Sequence, residues 1–428
     1  MGDIMDIRAL EVKLLTHADL SALSAEEQFE LLRERAKHFV GETRLLEMLR
    51  ICKKEGRPMR VKYGIDATGR EIHLGHAVPL FVLRRLQNMG HHVVLLIGDF
   101  TARVGDPTGR ISTRPMLSTE EIAINANRYT AQAGMVLDIK RAEVRFNSEW
   151  LESFRLADFF RIVGGLTVAT AMQRDDFRKR GSVTRAEMLY STLMAIDSVH
   201  LNSELELGGD DQLLNFYDAE RVMQNEGMAP EAAMTTDILL GTTGDGAKMS
   251  KSFGNFISIL TSAEDMYGKL MSIPDQQMES YFKLLTDIRD AEWDELARGL
   301  SGGALHPREV KQLLARVVVA DLNGPAAAAA AAEDFRHRIV DKEAPEDLPI
   351  KLLPAASAVN WISVLRALDL PNVKSNSDAR RLLEGGGVHL ITGQEDRVLQ
   401  ISDSIPEVGK ETSLRIGKRT YVRFQMVL

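Results

Sequence analysis

Cys52 is the only cysteine among 428 residues. That excludes an internal disulfide and any cysteine-based zinc or iron-sulfur centre. No run reaches the roughly 18 consecutive apolar residues of a membrane helix. The opening Met1-Gly2-Asp3-Ile4-Met5-Asp6 is acidic where a signal peptide needs basic charge, so the expected compartment is the cytoplasm, with no membrane partner. Positive charge is also in deficit: 53 Lys and Arg face 61 Asp and Glu, a net charge of −8 that gives no general reason to expect nucleic acid. Aromatic residues are only 6%, yet hydrophobic residues make up 44% and charged residues 27%, too apolar for a disordered chain. At roughly 150 residues per domain, the length predicts two to three domains. Charge is uneven along them. Arg366 to Leu428 carries ten basic and eight acidic residues, +2 against −10 for the remainder, so a modest basic patch is expected at the end.

Periodicity then organises the chain. Residues up to about Arg57 read as helices, with Ser24 and Glu27 forming a capping signal, and Gly56-Arg57-Pro58 closes them. Arg60 to Asp66 alternates like a strand, His73 to Met89 has helical spacing, and His92 to Gly98 is the apolar run of a strand buried on both faces. Strand, helix, strand is the repeating unit of a doubly wound α/β domain. Asn202 to Asp211 and Asp237 to Leu240 are further strand candidates, and Leu189 to Val199 reads as helix. After Ser252 the pattern is helical over Glu264 to Met271, Asp275 to Thr286, Pro307 to Leu322 and the alanine run after Pro325, which continues through Ile339. Ala344-Pro345-Glu346-Asp347-Leu348-Pro349 and Pro354 mark a linker.

Two motifs carry chemistry. His73-Leu74-Gly75-His76 opens a helix directly after a strand and loop, where free N–H groups and the positive dipole end suit a triphosphate. Lys248-Met249-Ser250-Lys251-Ser252 sits in a glycine-rich loop that can close over phosphates and neutralise the charge of departing pyrophosphate. Taken singly, the first matches many surface histidine pairs and the second many solvated basic loops. Their pairing is far more specific.

Together they resemble the two signatures of class I aminoacyl-tRNA synthetases. The blocks Tyr63-Gly64-Ile65-Asp66-Ala67-Thr68, Gly98-Asp99-Phe100-Thr101-Ala102-Arg103-Val104-Gly105-Asp106-Pro107-Thr108-Gly109 and Gly208-Gly209-Asp210-Asp211-Gln212 narrow the resemblance to the bacterial-type tyrosyl-tRNA synthetases. It covers almost the whole chain. It implies a doubly wound, Rossmann-like parallel-sheet catalytic domain (residues 1–247 with the N-terminal helices), a helical anticodon-facing domain (248–345), a linker (346–358) and a small α+β RNA-binding tail (359–428). The implied reaction activates tyrosine with ATP and Mg2+ and transfers it to the 3′ end of tRNA(Tyr), in a homodimer. No dedicated protein metal site is expected.

By the same resemblance, His73, His76, Lys248, Lys251 and Thr68 act on the phosphates. Gly64, Asp66, Gly75, Gly209, Asp211 and Met249 hold ATP, while Tyr63, Asp106, Tyr190, Met194, Asp197 and Gln212 bind the amino acid. Asp197 resembles the acid that accepts the substrate phenol, and Asp106, with Tyr190, the group that holds the α-ammonium. Lys374, Arg380 and Arg381, on a capped helix before a glycine turn, resemble the RNA-binding face of the tail. His389 stands where such domains often carry a further basic residue. Two positions depart from the commonest pattern: Lys62 replaces a tyrosine, as in one branch of the family, and Met194 replaces a glutamine whose hydrogen bonds a thioether cannot make. Three alternatives stay open: a paralogue activating or tolerating a tyrosine analogue, a tryptophan-specific relative, against which Asp197 and the tail argue, and a non-catalytic RNA-binding protein with a synthetase fold.

Overall fold

A computed structural model describes residues 5–69, 71–106, 118–172, 177, 183–337, 348–370, 373–392, 395–417 and 420–428. Pro107, Thr108, Gly109, Ile339, Ala344-Pro345-Glu346-Asp347, Lys418 and Arg419 lie outside the described residues. The chain divides into two compact units, Met1–Ala328 and Ala329–Leu428.

The first unit is built on a six-stranded sheet: β1 (His38–Val40), β2 (Arg60–Asp66), β3 (His92–Gly98), β4 (Ala142–Phe146), β5 (Leu205–Gly209) and β6 (Ala232–Thr236). Their order is β1-β6-β5-β2-β3-β4, with only the β1–β6 pairing antiparallel. The two strands expected around the first motif form with their expected limits. β1 and β6 escaped notice because one is a three-residue edge strand and the other reads Ala-Ala-Met-Thr-Thr, with little of the branched apolar signal that marks strands. Asp237 to Leu240 forms no strand; Leu240 makes an isolated bridge to Lys248.

Alternation along β2 divides the unit. Val61 and Tyr63 project to the face covered by helix α1 (Leu74–Asn88), and Lys62 and Gly64 project to the face covered by α2 (Tyr190–Leu201) and α3 (Leu213–Asn225). On that second face Val94 and Leu96 pack with Ala195, Ile196, Ala219 and Val222. Of the helices expected after Ser252, Ala263–Met271, Met278–Leu285, Pro307–Asn323 and Pro325–Phe335 form, and a further one, Asp290–Ser301, stands between them.

A charged cluster fixes α1 against them. Arg84 meets Asp321 at 2.9 Å, Arg85 meets Asp287 at 2.5 Å, and His17 contacts Asp321 at 2.8 Å. Hydrogen bonds to Asp287 and Asp321 raise the His17 pKa to about 9.

The second unit contains a five-stranded sheet of order β7-β11-β10-β8-β9, from β7 (Ile350–Pro354), β8 (Val388–Thr392), β9 (Glu395–Val398), β10 (Glu411–Ile416) and β11 (Thr420–Val427). Trp361 packs edge-on to Phe424 in its core. Ile350–Pro354 was expected in a linker but pairs in parallel with β11. The edge position explains how a proline-flanked segment enters a sheet, since an edge strand needs only one side of its hydrogen-bonding groups.

Because the His17 pKa is raised on folding, its stabilisation is complete below the unfolded value of about 6.5 and is lost as pH rises through about 9. Urea unfolding across that range should show wild type losing stability while His17→Gln has a flatter profile. Parallel profiles would contradict the assignment. Asp321→Ala, which strips Arg84 of its closest counter-charge, should cost about 3 kcal/mol.

Candidate active site

Starting at β2, the chain moves outward through β3 and β4, then returns to β5 and β6 on β2's other side. This is a topological switch point, and the crevice outside the carboxyl ends of β2 and β5 is where an open parallel sheet binds ligands. A cleft of about 530 Å3 lies there, lined by residues of both signature motifs and by Asp66, Asp106, Tyr190, Asp197 and Gln212.

One end is built for a compact polar group. Asp197, buried on α2, accepts hydrogen bonds from Trp150 Nε1 at 2.8 Å and Asn147 Nδ2 at 3.1 Å. Burial pushes its pKa up to about 6, against the opposing effects of Lys62 and those two donors. Asn147 also donates to Thr101 Oγ1 at 3.0 Å, Thr101 donates to Asp66 Oδ1 at 2.7 Å, and the Tyr190 hydroxyl donates to Asp66 Oδ2 at 3.1 Å. A continuous chain of hydrogen bonds thus joins Asp197 to Asp66. Gly98 makes the chain fit: a Cβ there would lie 2.2 Å from Asp66 Oδ1 and 2.4 Å from Thr101 Oγ1. A second pairing orients Asp106, which accepts from Gln212 Nε2 at 2.8 Å while Asn215 holds the Gln212 carbonyl oxygen at 2.7 Å.

The other end gathers the histidines and lysines of the two motifs. The His73 and His76 rings stack with centroids 3.7 Å apart. Burial is the largest cause holding their pKa values at about 2 and about 4; Lys248 and Lys251 reinforce it at both, and His76 at His73. Both are therefore neutral imidazoles near pH 7, able to donate through N–H without carrying charge. The buried His73 Nδ1 has no partner among the described residues. Positive charge comes instead from the exposed loop. Lys251 donates to the Glu71 carbonyl at 2.6 Å, while Asn255 receives the Ser250 N–H at 2.8 Å and donates to the Lys248 carbonyl at 3.2 Å, which fixes the loop's shape. The α1 terminus offers fewer free N–H groups than expected, because Leu74 N–H bonds the Ile257 carbonyl. Thr68, whose N–H bonds the Asp66 carbonyl, borders the cleft, as do Gly75, Gly209, Asp211 and the buried Met249. A Cβ on Gly64 would meet nothing within 4 Å, so a ligand can lie against its backbone.

Most expected site residues therefore converge. Tyr63 lines the cleft from the α1 face, where its hydroxyl donates to the His76 carbonyl at 3.5 Å, while its neighbour Lys62 stands on the face with Asp197. Met194 lines the cleft but packs against Val40, Phe216 and Ala233, an apolar wall. Sequence reading missed Thr101, Asn147 and Trp150. Thr101 and Asn147 follow the carboxyl ends of β3 and β4, a position that could have marked them. In the second unit, Lys374 and Arg380 are exposed without an ion pair among the described residues, and Arg381 pairs with Asp378 at 3.0 Å. Arg397, Arg415 and Arg423 are held by Asp403, Asp396 and Glu411, and His389 contacts Asp396 at 2.7 Å, so the basic patch is narrower than the residue count suggests.

Residues 53–339 match the family described as tRNA synthetases class I (W and Y). The chain belongs to this family. It is 40% identical over 405 residues to a tyrosine-tRNA ligase of Thermotoga maritima, covering 94% of this chain and 98% of that protein. The corresponding ligase of Geobacter sulfurreducens is 37% identical over 408 residues, with 94% and 99% covered. Among solved structures, the tyrosyl-tRNA synthetase of Archaeoglobus fulgidus complexed with L-tyrosine matches with a TM-score of 0.59 at 25% identity, over 72% of this chain and all of that one. A truncated mitochondrial tyrosyl-tRNA synthetase of Aspergillus nidulans shares the fold, with a TM-score of 0.58 at 21% identity over 73% of this chain and 93% of that one.

If Asp197 accepts a hydrogen bond from the ligand, the carboxylate form is required. Tyrosine affinity, followed by equilibrium dialysis, should fall as pH drops through about 6. Asn147→Ala removes a donor to the carboxylate, so that limb should move to higher pH and affinity should fall on the order of tenfold. Affinity independent of pH across this range would contradict the role of Asp197.

Proposed function

We propose that this chain is a tyrosine-tRNA ligase that forms tyrosyl-adenylate from tyrosine and ATP and then charges tRNA(Tyr). The observation that carries the reading is the juxtaposition, in one cleft, of a buried acceptor at Asp197 with a phosphate-facing set at the opposite end. In this reading the ring hydroxyl donates to Asp197, and Asp106 and Tyr190 receive the α-ammonium. Gln212 both orients Asp106 and lies near the substrate carboxylate.

A carboxylate oxygen of tyrosine forms a bond to the α-phosphorus of ATP as the bond to the bridging oxygen of pyrophosphate breaks. Both reactants are anionic, so orientation and charge stabilisation supply the rate. His73 and His76 donate as neutral imidazoles, Lys248 and Lys251 bring the positive charge, and Thr68 assists at the phosphates. Gly64, Asp66, Gly75, Gly209, Asp211 and Met249 seat the nucleotide. The terminal ribose hydroxyl of tRNA then attacks the activated carbonyl and AMP leaves. Among the described residues no three His, Cys, Asp or Glu side chains gather into a metal site. Mg2+ would enter as a counter-ion of the ATP phosphates, and no step here is assigned to it.

The tRNA would be held by the helical region and by Lys374, Arg380 and Arg381 in the tail. No helix among the described residues is long and apolar enough to cross a membrane, and we place the enzyme in the cytoplasm. A homodimer is supported by Leu156 and Phe160, large apolar side chains exposed on one helix. Asp106, Tyr190 and Gln212 remain for the α-ammonium end despite Met194, which favours tyrosine over an analogue.

Amino-acid-dependent ATP-pyrophosphate exchange with tyrosine, phenylalanine, tryptophan and ring-substituted or β-amino tyrosines tests activation, and charging of tRNA tests transfer. Tyrosine should be strongly preferred; preference for an analogue, or no exchange at all, would overturn the reading. Lys248→Ala and Lys251→Ala should each lower the exchange rate about 10²–10³-fold, with little change in tyrosine affinity.

A further inference from the structure

The closed end of the amino-acid pocket rests on a buried charge ladder that crosses three strands. Lys62 on β2 lies opposite Glu206 on β5, and Glu206 lies opposite Ala233 on β6. Glu231 precedes β6 by one residue and shares the face of Ala233, so the three side chains occupy one surface of the sheet. All are removed from solvent: the residues are 0%, 1% and 3% exposed. The Lys62 ammonium meets Glu206 Oε1 at 2.9 Å and donates to Ser198 Oγ at 2.5 Å. Its third N–H has no acceptor among the described residues, and the residue borders the cleft beside Asp197.

The acid side of the ladder does not balance if every group is charged. Glu231 Oε2 accepts from the Ser203 hydroxyl. Glu206 Oε2 and Glu231 Oε1 are both buried without a hydrogen-bond donor. Two such buried oxygens near one ammonium would leave an uncompensated negative charge out of contact with solvent, a costly arrangement. One proton between the two carboxyls removes the imbalance, as in other close carboxyl pairs. Burial is the main cause raising the Glu206 pKa well above its ordinary value; the Lys62 charge opposes it and the negative charge of Glu231 adds to it.

We propose that Glu206 and Glu231 share a single proton and together act as positioning residues, holding Lys62 as a fixed, charged donor toward the oxygen of the substrate's ring hydroxyl while Asp197 takes its proton. The second half of this inference rests on the proposed tyrosine activation; the first does not. With the proton shared, the pair carries one negative charge against the one positive charge of Lys62, and the ladder is neutral. Asp197 keeps its own charge for the ligand. The pocket then reads both sides of a hydroxyl, its lone pairs and its proton. Phenylalanine offers no partner to Asp197 or to the remaining N–H of Lys62. p-Aminophenylalanine can donate to Asp197 but offers Lys62 only a weak acceptor.

Infrared difference spectroscopy above pH 8, where Asp197 is ionised, tests the shared proton directly. Wild type should show the carbonyl stretch of a protonated, buried carboxylic acid, and both Glu206→Gln and Glu231→Gln should lose it; its absence from wild type, or its survival in both variants, would overturn the pair. Exchange kinetics test the positioning role. In wild type tyrosine should be preferred over p-aminophenylalanine by on the order of 10-fold to 100-fold, and equal use of the two would overturn that role without any variant. Glu206→Gln should raise the KM for tyrosine more than it lowers kcat and should narrow that preference; a uniform fall in kcat for both substrates would mark a merely structural role. Were wild type to activate no phenolic amino acid, the functional reading would fail while the infrared band still decided the proton pair.

Discussion

Strand β2 pairs in parallel with β3 on one side and with β5 on the other, and the chain leaves it in both directions. That single arrangement opens the cleft. It brings Asp66, Thr101, Asn147, Gly209 and Gln212, each at or just beyond the carboxyl end of a strand, to one edge of the sheet. It also divides the labour between the faces. Side chains on the α2 face surround Asp197 with buried polar groups, and the α1 face carries the stacked histidines into the same crevice.

Electrostatics differ between the two ends in a way that suits the proposed chemistry. Around Asp197 the groups are buried, so in the proposed reading a ligand lacking a hydroxyl would forgo a hydrogen bond that water cannot readily replace. At the phosphate end the lysines sit on an exposed loop shaped by Asn255, while the imidazoles are buried and neutral. Exposed charge on the outside and buried, neutral donors on the inside suit the proposed entry of a triphosphate and departure of pyrophosphate.

Much of this was legible in the sequence because the signature blocks fall on strand ends and on the start of a helix, where local pattern and function coincide. Strands β2 and β3 and helix α1 could be read from periodicity, and the place of Asp106, Tyr190, Asp197 and Gln212 along the cleft from the family resemblance. Charge state was not legible: nothing in the spelling of His73 and His76 says that burial makes them neutral. Nor does an isolated Asn147 or Trp150 announce that it donates to Asp197, because those contacts join segments about 50 residues apart. Lys62, Glu206 and Glu231 come together only through strand order. In the tail, the basic count overstated the free charge because Asp396, Asp403 and Glu411 lie beside the arginines.

In the proposed reading, one crevice holds an amino acid's ring hydroxyl at Asp197 and its activated carboxyl group between the histidines and the lysine loop. A crystal structure with a non-hydrolysable tyrosyl-adenylate analogue tests it most directly. The phenol oxygen should lie within hydrogen-bond distance of both Asp197 and Lys62, the α-ammonium at Asp106 and Tyr190, and the phosphate mimic beside His73 and His76. A ring placed away from Asp197, or a phosphate mimic away from both histidines, would contradict it.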